Sequence, residues 1–172
     1  MSIWVSVYCR KAVREVDTTI MVAEIRERAI DFSEFFAQED HEQSLLSLHV
    51  DKCDTPDLST WLHLHYLEDG PPVVVNSVSE PRQVEGEVQE YLSEFFSDHV
   101  GEQATFVRKH LEGTIEIFHF CLKQLHADGM GTPLVYAASA WLADIGDGLV
   151  RADGQGWMKL VNWGEFTIIE PE

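Results

Sequence analysis

The segment from Thr114 to Leu122 is apolar on both sides of a period-two alternation, with Ile115 and Ile117 on one side and Phe118 and Phe120 on the other. Successive side chains of a strand point to opposite faces. A strand apolar on both must lie inside a sheet that is covered on both faces. Residues 3–9 repeat the theme: Ile3, Val5, Val7 and Cys9 alternate with Trp4, Ser6 and Tyr8, giving a second strand with two largely apolar faces. These two segments demand a layered fold with helices to supply the cover.

The rest of the chain offers both. Residues 18–37 read as helix, with one stripe of Ile20, Met21, Ile25 and Ile30 and another of Phe32, Phe35 and Phe36. Gln43 to Val50 and Ser59 to Leu67 read as strands, separated by a turn-rich stretch, Asp51 to Asp57, that contains Pro56. Asp69-Gly70-Pro71 breaks the chain before Val73-Val74-Val75, a spacing that predicts a hairpin. Ser79 and Pro81 announce a helix by cap and first-turn chemistry. Val84, Val88, Tyr91, Leu92, Phe95 and Phe96 then repeat at helical spacing, opposite Glu87, Glu90 and Glu94. Residues 102–112 suggest a further short helix. Thr132 as N-cap and Pro133 predict a helix from Leu134 to Ile145 that stops at Gly146, and its alanines imply close approach to the sheet. Three short strands, 148–152, 157–161 and 166–169, follow with turns between them. Strands interrupted by helices and joined by hairpin-length loops predict a single α+β domain over residues 1–172, a mainly antiparallel sheet with helices packed on it.

Two stretches carry a likeness to other proteins: Tyr8-Cys9-Arg10-Lys11 and the run from Trp141 to Trp157, WLADIGDGLVRADGQGW. The latter resembles a carboxy-terminal pattern of uncharacterised small bacterial α+β proteins, where a helix ends at a glycine pair and a hairpin follows. The resemblance implies a bacterial source and an α+β fold. It carries no catalytic residue with it.

Charge narrows the function. The chain has 30 acidic and 12 basic side chains, a formal charge of -18. Residues 31–104 hold 17 of the acidic groups and only Lys52 and Arg82 as cations. Such a surface repels phosphate backbones and anionic membranes and attracts basic partners, so nucleic-acid binding is excluded first. No apolar run approaches the roughly 20 residues of a membrane span. The amino terminus lacks the basic-then-apolar order of a signal peptide. Cys9, Cys53 and Cys121 are odd in number with no C-x-x-C pair, which fits a reducing compartment. These features predict a cytoplasmic protein.

Chemistry-bearing motifs are few. His63 and His65, two apart on a predicted strand, share a face and could supply two metal ligands, the third coming from His49 or a carboxylate of the acidic segment. The simpler reading is a polar strand face that happens to hold histidines. Cys9 beside Arg10 and Lys11, and Cys121 near His119, each invite a nucleophile reading. Their apolar settings favour core. The glycine-rich stretch from Gly146 to Gly156 lacks the phosphate-binding pattern, and Asp144, Asp147 and Asp153 do not match a calcium loop. No cofactor is expected. The expectation is a non-catalytic acidic interaction module of the immunity or inhibitor type, docking a basic partner on Glu87, Glu90 and Glu94. A small metal-binding protein or enzyme on the His63/His65 face is the alternative, and a subunit recognised through Trp157 and Trp163 is a third.

Overall fold

A computed structural model of the chain describes residues 2–38, 42–53, 59–94, 96–127 and 129–170. Among these, the elements in order are β1 (Ser2–Cys9), α1 (Thr18–Phe35), α2 (Glu42–Ser47), β2 (His49–Lys52), β3 (Thr60–His65), β4 (Val73–Val78), α3 (Pro81–Glu94) and α4 (Gly101–Glu112). They continue with β5 (Glu116–Lys123), α5 (Gln124–Ala127), α6 (Gly131–Gly146), β6 (Gly148–Ala152), β7 (Gly156–Asn162) and β8 (Glu165–Ile169). The strands form one sheet in the order β2-β3-β4-β5-β1-β6-β7-β8. Every neighbouring pair is antiparallel, and the fold is α+β.

The two strands that are apolar on both sides lie next to each other near the middle, β5 paired along its length with β1. Each face has its own core. On one, Val5, Val7, Phe118, Phe120 and Val150 pack under α1 and α6. On the other, Tyr8, Ile117, Leu149 and Trp157 pack under Val84 and Val88 of α3 and Val107 and Leu111 of α4. Phe118 and Phe120 are fully buried, worth about 2–3 kcal/mol each in area removed from water. Helix α6 is buried on nearly all sides, from Leu134 to Ala143; its alanines let it sit close to both α1 and the sheet.

Several local expectations are corrected. Residues 43–47 are helical, not the start of a strand. Arg26 donates to the carbonyls of Leu45, Leu46 and Leu48 at 2.8, 3.4 and 2.7 Å, which satisfies the carbonyls left open where α2 ends. Pro56 and Phe95 lie outside the described residues. On α1 the buried face is Met21, Ile25, Arg28, Ala29 and Phe32, so an arginine completes the stripe while Ile20, Ile30 and Phe35 are exposed. At α3 the amide of Gln83 is accepted by the Glu80 carboxylate at 2.9 Å, and Ser79 instead accepts from Arg14 at 3.0 Å. Thr132 is inside α6, which begins at Gly131, one residue after Met130. The left-handed residue after that helix is Asp147, with φ of 49°, and Gly146 is needed for space, because a Cβ there would lie 2.6 Å from Cys9 Sγ. Trp157 is buried and donates to the Tyr91 hydroxyl at 3.1 Å. Trp163 remains partly exposed, stacked on Arg28 with the guanidinium carbon 4.0 Å from the ring centroid.

Among the described residues, no helix is long and apolar enough to cross a membrane.

Candidate functional site

Helices α3 and α4 cover only part of their face of the sheet. Two candidate sites follow, one in the cleft between the helices and one on the strand face at the far edge.

The cleft is a groove of about 300 Å³. Val84, Val88 and Leu111 lie buried along its lining, with Ile115 about half exposed at 47%. Glu85 and Gln89 from α3 and Glu112 from α4 stand exposed around it. The helical period explains the pairing of apolar and acidic groups. Val84 and Val88 are one turn apart and bind α3 to the core, and Glu85 and Gln89, each one residue on, fall beside them at the margin.

Of the three glutamates expected to form a ridge, Glu90 and Glu94 are exposed on α3. Glu87 differs. It is half-buried and turned onto the sheet, its Oε1 2.7 Å from His119 Nε2. His119 Nδ1 in turn meets the Ser6 hydroxyl at 2.8 Å. A carboxylate, an imidazole and a serine in line suggest nucleophilic catalysis. Ser6, however, is buried, and it sits in a central strand paired on both sides, to His119 and to Arg151. Its amide therefore belongs to the ladder and is not free to hold an oxyanion. The arrangement is a hydrogen-bonded strut between α3 and the sheet. Sequence reasoning could not find it, because Ser6 and His119 are brought together only by strand register.

The uncovered strand face carries histidines. In β2 and β3, His49 stands opposite His65 and Asp51 opposite His63. Asp51 Oδ2 is 3.3 Å from His65 Nε2. The His49 and His65 rings stack at 4.6 Å between centroids, 3° from parallel. Partial burial, aided by His49 and His63 and opposed by Asp51, holds the His65 pKa below its usual value. His63 points to Cys53, whose Sγ is 3.8 Å from Nδ1. The expected His63/His65 pair shares one strand face, the rings edge to face with centroids 6.1 Å apart. Among the described residues, the donor atoms that converge within 4.8 Å belong to His49, Asp51 and His65.

Cys9, beside Arg10 and Lys11 in the sequence, is not arranged as a nucleophile. Cys9 is buried, 3.7 Å from the Leu142 carbonyl. Burial, with Glu116 and Asp147 nearby, pushes its thiol well above the usual range. Cys121 is half-buried on the same strand side as His119.

The cations are largely engaged in structure. Arg26 and Arg108 donate to main-chain carbonyls, Lys52 donates to the Val16 carbonyl at 3.0 Å, and Arg28 is buried against Asp144. On the groove helices themselves, Arg82 of α3 and Lys109 of α4 are exposed alongside the carboxylates. No protein-family model matches the chain, and no curated protein or solved structure is significantly similar to it.

Proposed function

We propose that this protein is a non-catalytic interaction module that holds a basic segment of a partner protein in the groove between α3 and α4. The observation that carries the reading is the apolar lining beneath Glu85 and Glu112. A lysine or arginine has the complementary build, an aliphatic stem that packs on apolar surface and a charged head that stays at the polar margin. Glu90 and Glu94 extend the negative field along α3, so encounter is steered over a longer path than the contact itself. The charge balance of α3 supports the reading: Glu85, Glu87, Glu90 and Glu94 stand on that helix against Arg82 alone. A basic enzyme inhibited by such a surface would make this an immunity or inhibitor protein.

The test uses a synthetic peptide of alternating lysine and leucine, with a glutamate-for-lysine version as control, titrated into isotope-labelled protein. Amide shifts should concentrate at Val84, Val88, Leu111 and Ile115 and weaken as salt rises. Glu85→Lys with Glu112→Lys should abolish them. Shifts scattered over the whole acidic surface, or unchanged in that double variant, would remove the groove from consideration.

A further inference from the structure

We propose that His49, Asp51 and His65 form a binding site for one divalent first-row transition ion of the zinc class. The site is made by strand register and not by sequence proximity. His49 and Asp51 are two apart on β2 and share a face, and His65 lies directly across from His49 on β3. Their donor atoms already lie within 4.8 Å of one another, and the His65 Nε2 to Asp51 Oδ2 separation is 3.3 Å. With metal bonds of about 2.0–2.1 Å, the edge of a tetrahedron is about 3.3–3.4 Å. One edge is therefore preformed, and binding must unstack the parallel His49 and His65 rings so that both ring planes meet at the ion.

A second observation concerns the tautomer of His49. Its Nδ1 lies 2.9 Å from the Ser47 carbonyl oxygen. A carbonyl only accepts, so Nδ1 carries the proton and the Nε2 lone pair is left for a metal. A ligating histidine usually has its other nitrogen fixed in this way, which orients the ring and sets the tautomer before metal arrives. His65 already directs its Nε2 at Asp51.

Two imidazoles and one carboxylate select a borderline first-row ion over calcium or magnesium, which take oxygen ligands. Three protein ligands leave a fourth tetrahedral position for water or an incoming donor. His49 and Asp51 are exposed at the edge of the sheet, so an ion reaches them without rearrangement of the core. His63, one position away on the same face, is turned to Cys53 and is not needed. The site is separate from the groove between α3 and α4 and stands whether or not that groove binds a partner.

The 172-residue chain without a histidine tag, stripped with a chelator and dialysed, is titrated calorimetrically with zinc chloride near neutral pH. One equivalent should bind saturably. His49→Ala, His65→Ala and Asp51→Asn should each weaken it at least about tenfold, and His63→Gln should leave it nearly unchanged. Cobalt titrated into the wild type should give the intense visible bands of a four-coordinate site. Circular dichroism and thermal melting confirm that each variant is folded, and His49→Gln, which keeps a polar side chain of similar reach, serves should the alanine variant fail. Unsaturable or substoichiometric zinc binding in the wild type overturns the proposal. So does a folded His49 variant that binds like the wild type, or a His63→Gln loss equal to that of His65→Ala.

Discussion

Glu87 and His119 join α3 to the centre of the sheet: the carboxylate Oε1 sits 2.7 Å from the imidazole Nε2, with the Ser6 hydroxyl 2.8 Å from the other ring nitrogen. Glu87 thus differs from its exposed neighbours on the same helix. Glu87→Ala should cost about 1 kcal/mol, the net worth of one hydrogen bond, and lower the melting temperature by about 2–4 °C for a chain of this length. Glu90→Ala and Glu94→Ala should stay within about 0.5 kcal/mol of wild type. Equal melting temperatures for all three variants would show that the strut is not stabilising.

Arg28 is a charged residue on the buried face of α1. Its Nη2 lies 2.6 Å from Asp144 Oδ2, its Nη1 donates to the Trp163 carbonyl at 3.0 Å, and its head stacks on the Trp163 ring. Arg28→Ala removes the pairing, the stack and the packed stem together. We expect a loss of about 3 kcal/mol or more in urea unfolding. Arg28→Met keeps the stem and should recover part of it. No difference between the two variants would mean that stem packing contributes little.

Gly146 is held to glycine by Cys9. An added Cβ would lie 2.6 Å from Cys9 Sγ and 3.0 Å from Cys9 Cβ. Gly146→Ala should destabilise by about 1–3 kcal/mol through overpacking. Cys9→Ala removes the closer contact, so the double variant should be more stable than the sum of the single effects predicts. Strict additivity in a double-mutant cycle would locate the strain elsewhere.

His110 gives stability a pH dependence. It is buried, with Nε2 donating to the Tyr8 carbonyl at 2.8 Å. Burial lowers its pKa, Arg10 adds to the shift, and the Tyr8 bond and Asp147 oppose it. Above the ordinary histidine value of about 6.5, the ring is neutral whether folded or unfolded and adds no pH dependence. Below that value the unfolded chain binds a proton that the folded chain resists, so stability falls with pH until the lower folded value is passed. Urea midpoints measured on either side of this window should drop less in His110→Gln than in wild type. Equal drops would assign the effect to other groups.

The alternation in residues 3–9 and 114–122 placed two strands inside a covered sheet, and the boundary between α6 and the hairpin that follows Gly146 was legible from the chain. The strand expected over residues 43–47 was not, because the Arg26 side chain, 17 residues or more away, supplies the partners that let a helix end there. Likewise the α1 stripe was misread at Ile20 and Ile30. Hydrophobicity alone cannot anticipate that Arg28 occupies the buried face when Asp144 and the Trp163 carbonyl await it.

By itself, then, the sequence determined the architecture and the sign of the surface, since periodicity and charge are properties of residues read in order. Only tertiary structure decided which groups meet. Glu87 left the expected ridge for His119, His65 joined His49 and Asp51 while His63 turned to Cys53, and the acidic margin acquired an apolar lining from two helices. Each of these pairings depends on strand register or helix packing, and a shift of one residue in either would send the same side chains to another face.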